Sequence, residues 1–391
     1  MTPEGPAVII STTIMNLIEK QESLERAIEL IRPAPEIGVD VEADSLYHYF
    51  EKICLIQMNP ADIPIVVDPL NGLDLSPLME QLGGKLLIFH GADYDLRLLR
   101  KDFGFVPYRI FDTMKAAQLL GFENIGLASL VEKYFGVHLS KSSQKLDWSE
   151  RPLKKCMLDY AARDVIYLPE LKDRLEKELL ALGRLHWLTE SCEQIVASAM
   201  ANTEAADPDR EWRFKGTSAL SGKTLALARV LWYWREAEAK KMNRPAFKVI
   251  GNQTMVELAS LAAHLPNEEV FKRVNLPRTF VGRRLAELRK VLNEGRDYLP
   301  ARWPMDKCKG KNHPQRETNP AVIERLREIR DLKSRQNLIE PSLLASRAAL
   351  LEVAVRKPRD LETMRALRCL MKWQIGILGE AFLEVLWDSK R

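Results

Sequence analysis

No stretch of this chain approaches the roughly 18 uninterrupted apolar residues of a membrane span, so no membrane partner is expected. Cysteine is scarce. Cys54, Cys156, Cys192, Cys308 and Cys369 are scattered, with no CxxC pair, which argues against both a structural zinc site and a disulfide framework. A reducing, cytoplasmic setting suits such usage. The opening MTPEGPAVIISTTI lacks the basic n-region of a secretory signal. Net charge is also small, +4, so bulk electrostatics alone call for no polyanion. What is present is an ordinary globular composition, 46% hydrophobic and 29% charged. At 391 residues the chain is too long for one core and predicts two or three domains.

Charge is unevenly distributed. Glu36–Asp112 holds 13 acidic and 6 basic residues, whereas Phe271–Arg316 holds 13 basic and 4 acidic. An acidic front and a basic back suit a metal-binding half and a polyanion-binding half, or simply two differently charged solvated surfaces. Along the chain, AVIIS reads as a strand and MNLIEKQESLERAIELI as an amphipathic helix ended by Pro33 and Pro35. IGVDVEA, ICLIQM and IPIVVD follow as a strand meander, then a short helix near Leu75–Leu82. KLLIFH into DYDLRLLRKDF, then RIFDTMKAAQLLG, GLASLVEKYFG and a single helix over MLDYAARDVIYLPELKDRL complete this half. Antiparallel strands followed by strand–helix alternation predict a mixed sheet flanked by helices. Beyond about Leu171 strand signals almost vanish. Breaks near 202–216 and 300–320 divide the rest into two helical modules.

The chemistry-bearing residues are carboxylates. Asp40 and Glu42 are two apart in IGVDVEA and so share a sheet face, with Val39 and Val41 on the other. Two acids on one strand face repel each other unless a cation lies between them, and hard divalent ions choose carboxylate oxygens. An edge strand with a solvated face is the plainer alternative. Asp95 stands where KLLIFH turns into a helix, and α/β sheets place ligands at such strand ends. Asp93, its neighbour, competes for that role or caps the helix. Tyr160 and Asp164, four apart, share a helix face. They pair a metal-binding carboxylate with a phenol that positions water, or are a core tyrosine beside a solvated acid.

Taken in order, strand DxE, strand-to-helix HGADYD and helix YxxxD resemble the DEDD exonucleases in their tyrosine-containing subgroup. DVEADSLYHYFEKICLIQM resembles the first motif with its following strand, LLIFHGADYDLRLLRKDFG the second and YAARDVIYL the third. RIFDTMKAAQLLG and LDWSERPL are similar to segments of ribonuclease D and its exosome-associated eukaryotic relatives. The first motif reads DVEAD where bacterial ribonuclease D usually has an aromatic after the glutamate, and HGAD is closer to the eukaryotic members. The resemblance implies a ribonuclease H-like, mixed-sheet exonuclease domain over 1–205. Asp40, Glu42, Asp95 and Asp164 would bind two divalent cations, Mg²⁺ or Mn²⁺, and Tyr160 would orient the attacking water. Asp93 and Asp112 fall outside that quartet, and His90 and Gln57 read as supports. The implied reaction is two-metal 3′→5′ hydrolysis of RNA from a free 3′-hydroxyl, releasing nucleoside 5′-monophosphates. Its partners would be single-stranded RNA 3′ ends, tRNA precursors being one candidate. A DNA exonuclease of the same superfamily and a catalytically silent RNA-binding scaffold are the alternatives.

The helical half adds a second resemblance. Gly222–Lys248 carries 7 basic and 2 acidic residues around Trp232, Tyr233 and Trp234, a composition suited to phosphate attraction and base stacking, although the two tryptophans read better as bundle core. WREAEAKKMNRPAFKVIGNQTMVELA resembles the HRDC domain shared by ribonuclease D and RecQ-type helicases. NLIEPSLLASRAALLEVA is similar to a second such domain. The implied boundaries are 206–300 for the first HRDC domain, 301–319 for a basic linker holding MDKCKGKNHPQRE, and 320–391 for the second. A chain cut after about Ala206 is therefore expected to keep hydrolysis of short oligonucleotides.

Overall fold

The computed structural model describes residues 16–60, 63–140, 143–201, 211–298, 303–304 and 319–387. The predicted AVIIS strand, most of the break at 202–216 and the basic segment 305–318 lie outside these residues.

The α/β part is built on one six-stranded mixed sheet. Its strands are β1 (Asn16–Ile18), β2 (Glu36–Ala43), β3 (Ile53–Asn59), β4 (Ile65–Val67), β5 (Leu86–Phe89) and β6 (Arg109–Asp112), in the order β1-β4-β3-β2-β5-β6. β2, β3 and β4 form the predicted antiparallel meander, while β1 joins β4, β5 joins β2 and β6 joins β5 in parallel. NLI, read from the sequence as helix, is thus a strand. Its residues pair with Ile65–Val67, and helix α1 starts only at Gln21 and ends at Ile31. The helices of this half are α2 (Ser76–Gly83), α3 (Asp93–Phe103), α4 (Thr113–Leu119), α5 (Leu127–Phe135), α6 (Lys155–Ile166), α7 (Leu168–Ala181) and α8 (Leu185–Met200). The single helix expected over residues 157–175 is therefore two. Tyr167 separates α6 from α7, because Pro169 brings no N–H and its ring crowds the preceding turn.

β2 is a central strand, hydrogen-bonded to β3 on one side and β5 on the other. The β5 ladder ends at Gly38, so Asp40 and Glu42 pair with β3 alone, and it is the cover over their face that speaks against the solvated-edge alternative. Val39 and Val41 are buried in the main core with Ile56 and Met58, so alternation sends the two carboxylates to the opposite face. Helix α6 covers that face. Its Met157 and Ala161 pack with Leu55 and Val66. Asn59 donates through Nδ2 to the carbonyls of Val165 (3.4 Å) and Ile166 (3.1 Å), which satisfies acceptors that a helix end leaves open. The approach is close enough that a Cβ on Gly38 would stand 3.1 Å from both Leu168 Cβ and the Val165 carbonyl oxygen. Glycine is what lets the helix that carries Tyr160 and Asp164 sit this near β2.

The described residues form two compact units that do not follow chain order. One draws on the described residues of 16–43, 53–201 and 319–387, the other on those of 44–52 and 211–304. The second unit is helical, with α9 (Gly222–Met242), α10 (Asn252–Ala262), α11 (Asn267–Arg273) and α12 (Arg283–Arg296) around Leu227, Leu231, Leu258 and Leu288. Trp234 packs on this core edge to face with Phe280, while half-buried Trp232 rests on Tyr233. The C-terminal helices α13 (Pro320–Asn337), α14 (Arg347–Arg356), α15 (Leu361–Ala366) and α16 (Lys372–Trp387) belong to the first unit and share its core. Trp373 of α16 stacks on Trp187 of α8 at 4.7 Å. Glu190 accepts from the amides of Lys372 (2.6 Å) and Trp373 (3.2 Å).

Candidate active site

Asp40 and Glu42 of β2 meet Asp164 of α6. One carboxylate oxygen from each of the three lies within 4.8 Å of the others. Among the described residues this is the one grouping of three or more metal-binding side chains. Asp95 stands outside that triad but close enough for its charge to act on Asp40 and Glu42. Burial, and then the neighbouring carboxylates, hold Asp40 well above the usual carboxylate range and push Glu42 up to about 9. Asp95 is pushed up to about 8 by burial and by the charges of Asp112 and Asp93. Asp164 is pushed up to about 7 by burial, against the pull of its hydrogen bond from Tyr160. Four acids crowded so that none ionises easily make a site that a cation would relieve. An all-oxygen donor set fits a hard divalent ion rather than a thiophilic one.

The second motif resolves its own ambiguity. Asp95 lies in the first turn of α3 and is 8% exposed, while Asp93 faces solvent and pairs with Arg97 at 2.7 Å. Asp93 is therefore neither the inward acid nor a cap; Ala92 occupies the cap position without a side-chain bond. Asp112 holds this turn in place. Its carboxylate accepts from the amides of Gly91 (3.1 Å) and Ala92 (3.0 Å) before α3 and of Met114 (2.9 Å) and Lys115 (3.0 Å) opening α4. One buried side chain thus caps one helix and clamps the entry of another. Gly91 in that turn has φ +86°, and a Cβ there would come within 2.5 Å of Met114. His90 bonds through Nδ1 to Thr113 Oγ1 at 2.9 Å, and Thr113 gives its proton to the Phe89 carbonyl. The imidazole is therefore the donor. Burial lowers its pKa to about 4, partly offset by Asp112, so it is a neutral brace, as the sequence suggested.

Tyr160 is half-buried, hydrogen-bonded to Asp164 and packed against Trp148 with ring centroids 5.9 Å apart. Burial and the charges of Asp164 and Glu42 raise its pKa far beyond the ordinary phenol value. It remains a hydrogen-bond donor and cannot serve as a base near neutrality. Sequence reasoning missed what holds Trp148. Arg151 donates to Asp68 through Nε (2.6 Å) and Nη2 (2.8 Å), and to the carbonyls of Trp148 (2.8 Å), Glu150 (2.8 Å) and Cys54 (3.0 Å). The only sequence signal was a basic residue inside LDWSERPL.

With this geometry in view, comparison with known proteins decides the family. The 3′-5′ exonuclease family profile matches residues 15–180, and the HRDC domain profile matches 224–269 and 319–386. The ribonuclease D of Granulibacter bethesdensis is 32% identical over 373 residues, covering 93% of this chain and 90% of its own. The chain belongs to the ribonuclease D family. It is accordingly a nuclease, a phosphodiester hydrolase with a 3′-5′ exonuclease domain and HRDC domains. The crystal structure of Escherichia coli RNase D shares its fold, with a TM-score of 0.72 at 23% identity, over 96% of this chain and 100% of that one. The catalytic core of RRP6 from Trypanosoma brucei aligns with a TM-score of 0.63 at 27% identity, over 75% of this chain and 83% of that one. No helix among the described residues is long and apolar enough to cross a membrane.

Proposed function

We propose that this chain is a 3′→5′ exoribonuclease that removes nucleoside 5′-monophosphates one at a time from a free RNA 3′-hydroxyl. The observation that carries this reading is the carboxylate triad of Asp40, Glu42 and Asp164, brought within 4.8 Å on one sheet face, with Asp95 bearing on it from α3. In this reading Asp40, Glu42, Asp95 and Asp164 hold two divalent cations, Mg²⁺ or Mn²⁺. Bound there, the ions supply Lewis-acid stabilisation of charge on the phosphate and on the leaving 3′-oxygen and acidify the attacking water. The chain's own groups do the positioning. Tyr160, kept as a phenol, aligns the water by a hydrogen bond while Asp164 fixes the phenol's direction. Asp112 and neutral His90 keep the β5–α3 turn, and with it Asp95, in place.

Tandem HRDC domains, 206–300 and 320–391 with a basic linker at 301–319, suit a long structured RNA better than a short oligonucleotide. The 3′ ends of tRNA precursors or other stable RNAs in the cytoplasm are the proposed substrates. The test is digestion of 3′- and 5′-labelled RNAs with each metal. Mononucleotide release from the 3′ end, blocked by a 3′-phosphate, is expected. Cleavage of circular RNA at an equal rate would refute exonucleolytic action, and faster digestion of a matched DNA would move the substrate class.

A further inference from the structure

Gln57 is fully buried on β3, and neither its Nε2 nor its Oε1 has a hydrogen-bond partner among the described residues. It stands directly across the β2–β3 ladder from Asp40. Opposed residues of an antiparallel pair share a sheet face, with Cβ atoms roughly 4.5–5.5 Å apart, so the amide lies on the carboxylate face beside the first member of the triad. Flanking positions on that face are Leu55, which packs with Met157 and Ala161 of α6, and Asn59, whose Nδ2 is committed to the end of α6 while its buried Oδ1 also has no hydrogen-bond partner among the described residues. Enclosing an amide with nothing to bond is unfavourable, and an apolar residue of the same shape would avoid that cost. A long amide at this position therefore points to a partner at the carboxylates themselves.

We propose that Gln57 is a positioning residue for the cation site: its Nε2–H orients the Asp40 carboxylate when that group holds a divalent cation. This rests on the cation-site reading above. A metal-binding carboxylate free to rotate loses affinity, and hydrogen bonds that fix such ligands typically matter 10- to 100-fold (roughly) in metal affinity or activity. Gln57 does not touch substrate in this proposal; it acts only through Asp40.

The experiment measures Mn²⁺ binding to the full chain by calorimetry or by electron paramagnetic resonance of the free ion, with melting in EDTA as a separate readout. Gln57→Met keeps length and volume and removes the amide. It is expected to melt in EDTA at or above the wild-type temperature while its Mn²⁺ Kd weakens by about tenfold. Wild-type Mn²⁺ affinity in a folded Met variant would overturn the proposal and leave Gln57 a tolerated core amide. Should the Met variant fail to fold, Gln57→Asn decides: it retains an amide but withdraws it by one methylene, so weakened Mn²⁺ binding supports the proposal and unchanged binding overturns it. Asp40→Ala separates the two readings. If that variant binds Mn²⁺ as wild type does, the cation site itself is wrong and the Gln57 role falls with it. Lost binding in Asp40→Ala beside unaltered binding in the Gln57 variants rejects Gln57 alone.

Discussion

Replacing Arg151 by methionine tests how the loop beside the site is held. Arg151 and Asp68 form a two-pronged ion pair at 2.6 and 2.8 Å, in which the Asp68 side chain is fully buried and that of Arg151 is 26% exposed. Removing the cation strands a buried carboxylate whose remaining bond among the described residues is from the Leu70 amide at 3.0 Å. Breaking a buried pair from one side costs ~3–5 kcal/mol. The partial exposure of the arginine places the expected loss at the lower end, about 3 kcal/mol, or a fall of about 5–10 °C in Tm. Asp68→Asn on the Arg151→Met background removes the stranded charge and should return a large part of that stability. It cannot restore the bonds from Arg151 to the carbonyls of Trp148, Glu150 and Cys54. The loop that presses Trp148 against Tyr160 should therefore stay loose, and the rate should stay low in the double variant. Urea unfolding measures the first quantity and single-turnover digestion of a short 3′-hydroxyl RNA the second. A double variant that regains stability and rate together would refute the argument that Arg151 holds the loop through its carbonyl bonds. A single variant losing less than about 1 kcal/mol would refute the burial argument.

Three further outcomes follow from the site. Alanine at Asp40, Glu42, Asp95 or Asp164 should abolish hydrolysis while leaving melting in EDTA unchanged or higher, since each removal relieves repulsion; an inactive Asp93→Ala beside an active Asp95→Ala would reverse the assignment within DYD. Tyr160→Phe should keep the fold and Mn²⁺ affinity but lose about 10²-fold in kcat with little change in KM, as expected for a group that matters most in the transition state; a wild-type kcat would make it a core residue only. The raised carboxylate pKa values also set a pH dependence of stability. The stability they contribute is fully present below the unfolded values near ~4 and is lost as pH rises through the folded ones, about 7 for Asp164, 8 for Asp95 and 9 for Glu42. Melting in EDTA should therefore fall from pH 5 toward pH 9, and the rise in Tm on adding Mg²⁺ should grow over the same window; an increment independent of pH would contradict it.

What the sequence made legible was governed by short-range periodicity. The two-residue spacing of Asp40 and Glu42 defined a face because strand alternation is strict, and Tyr160 with Asp164 defined another because a helix repeats about every four residues. Asp93 could also have been placed from sequence, since Arg97 lies four residues on and the two pair across one turn. Asp112 was half legible. An Asp before a helix start signals a cap, but its bonds to Gly91 and Ala92 reach 21 and 20 residues back. The Arg151–Asp68 pair spans 83 residues and leaves no local pattern. NLI was read as helix because three residues carry too little periodicity to choose a state, and the β4 partner decides it. The site residues themselves were named through the family resemblance, since each local pattern alone left an ordinary alternative open.

The order of the chain misleads about which parts fold together. A cut after about Ala206 was expected to keep hydrolysis of short oligonucleotides, because the break near 202–216 divides off the helical modules. Yet α13–α16 share the core of the sheet-bearing unit. The cut would strip Trp373 from Trp187, leave the Glu190 carboxylate without the amides of Lys372 and Trp373, and free the Arg184 guanidinium from the Asn337 carbonyl at 2.7 Å. The other unit reaches in the opposite direction along the sequence. Residues 44–52, which directly follow the strand bearing Asp40 and Glu42, group with the described residues of 211–304. Within that unit the amides of Tyr49 and Phe50 donate to Asn243 Oδ1 at 3.1 and 3.3 Å, Tyr49 packs on the helical core, and Lys248 lies 4.1 Å over the Tyr47 ring. Asp44, fully buried, closes the loop by bonding the Lys52 amide and ammonium. The β2–β3 connection, the shortest path out of the first motif, is therefore anchored by the first HRDC region. Asn243→Ala should consequently loosen residues 44–52 within that unit, measured as faster amide exchange at Tyr49 and Phe50.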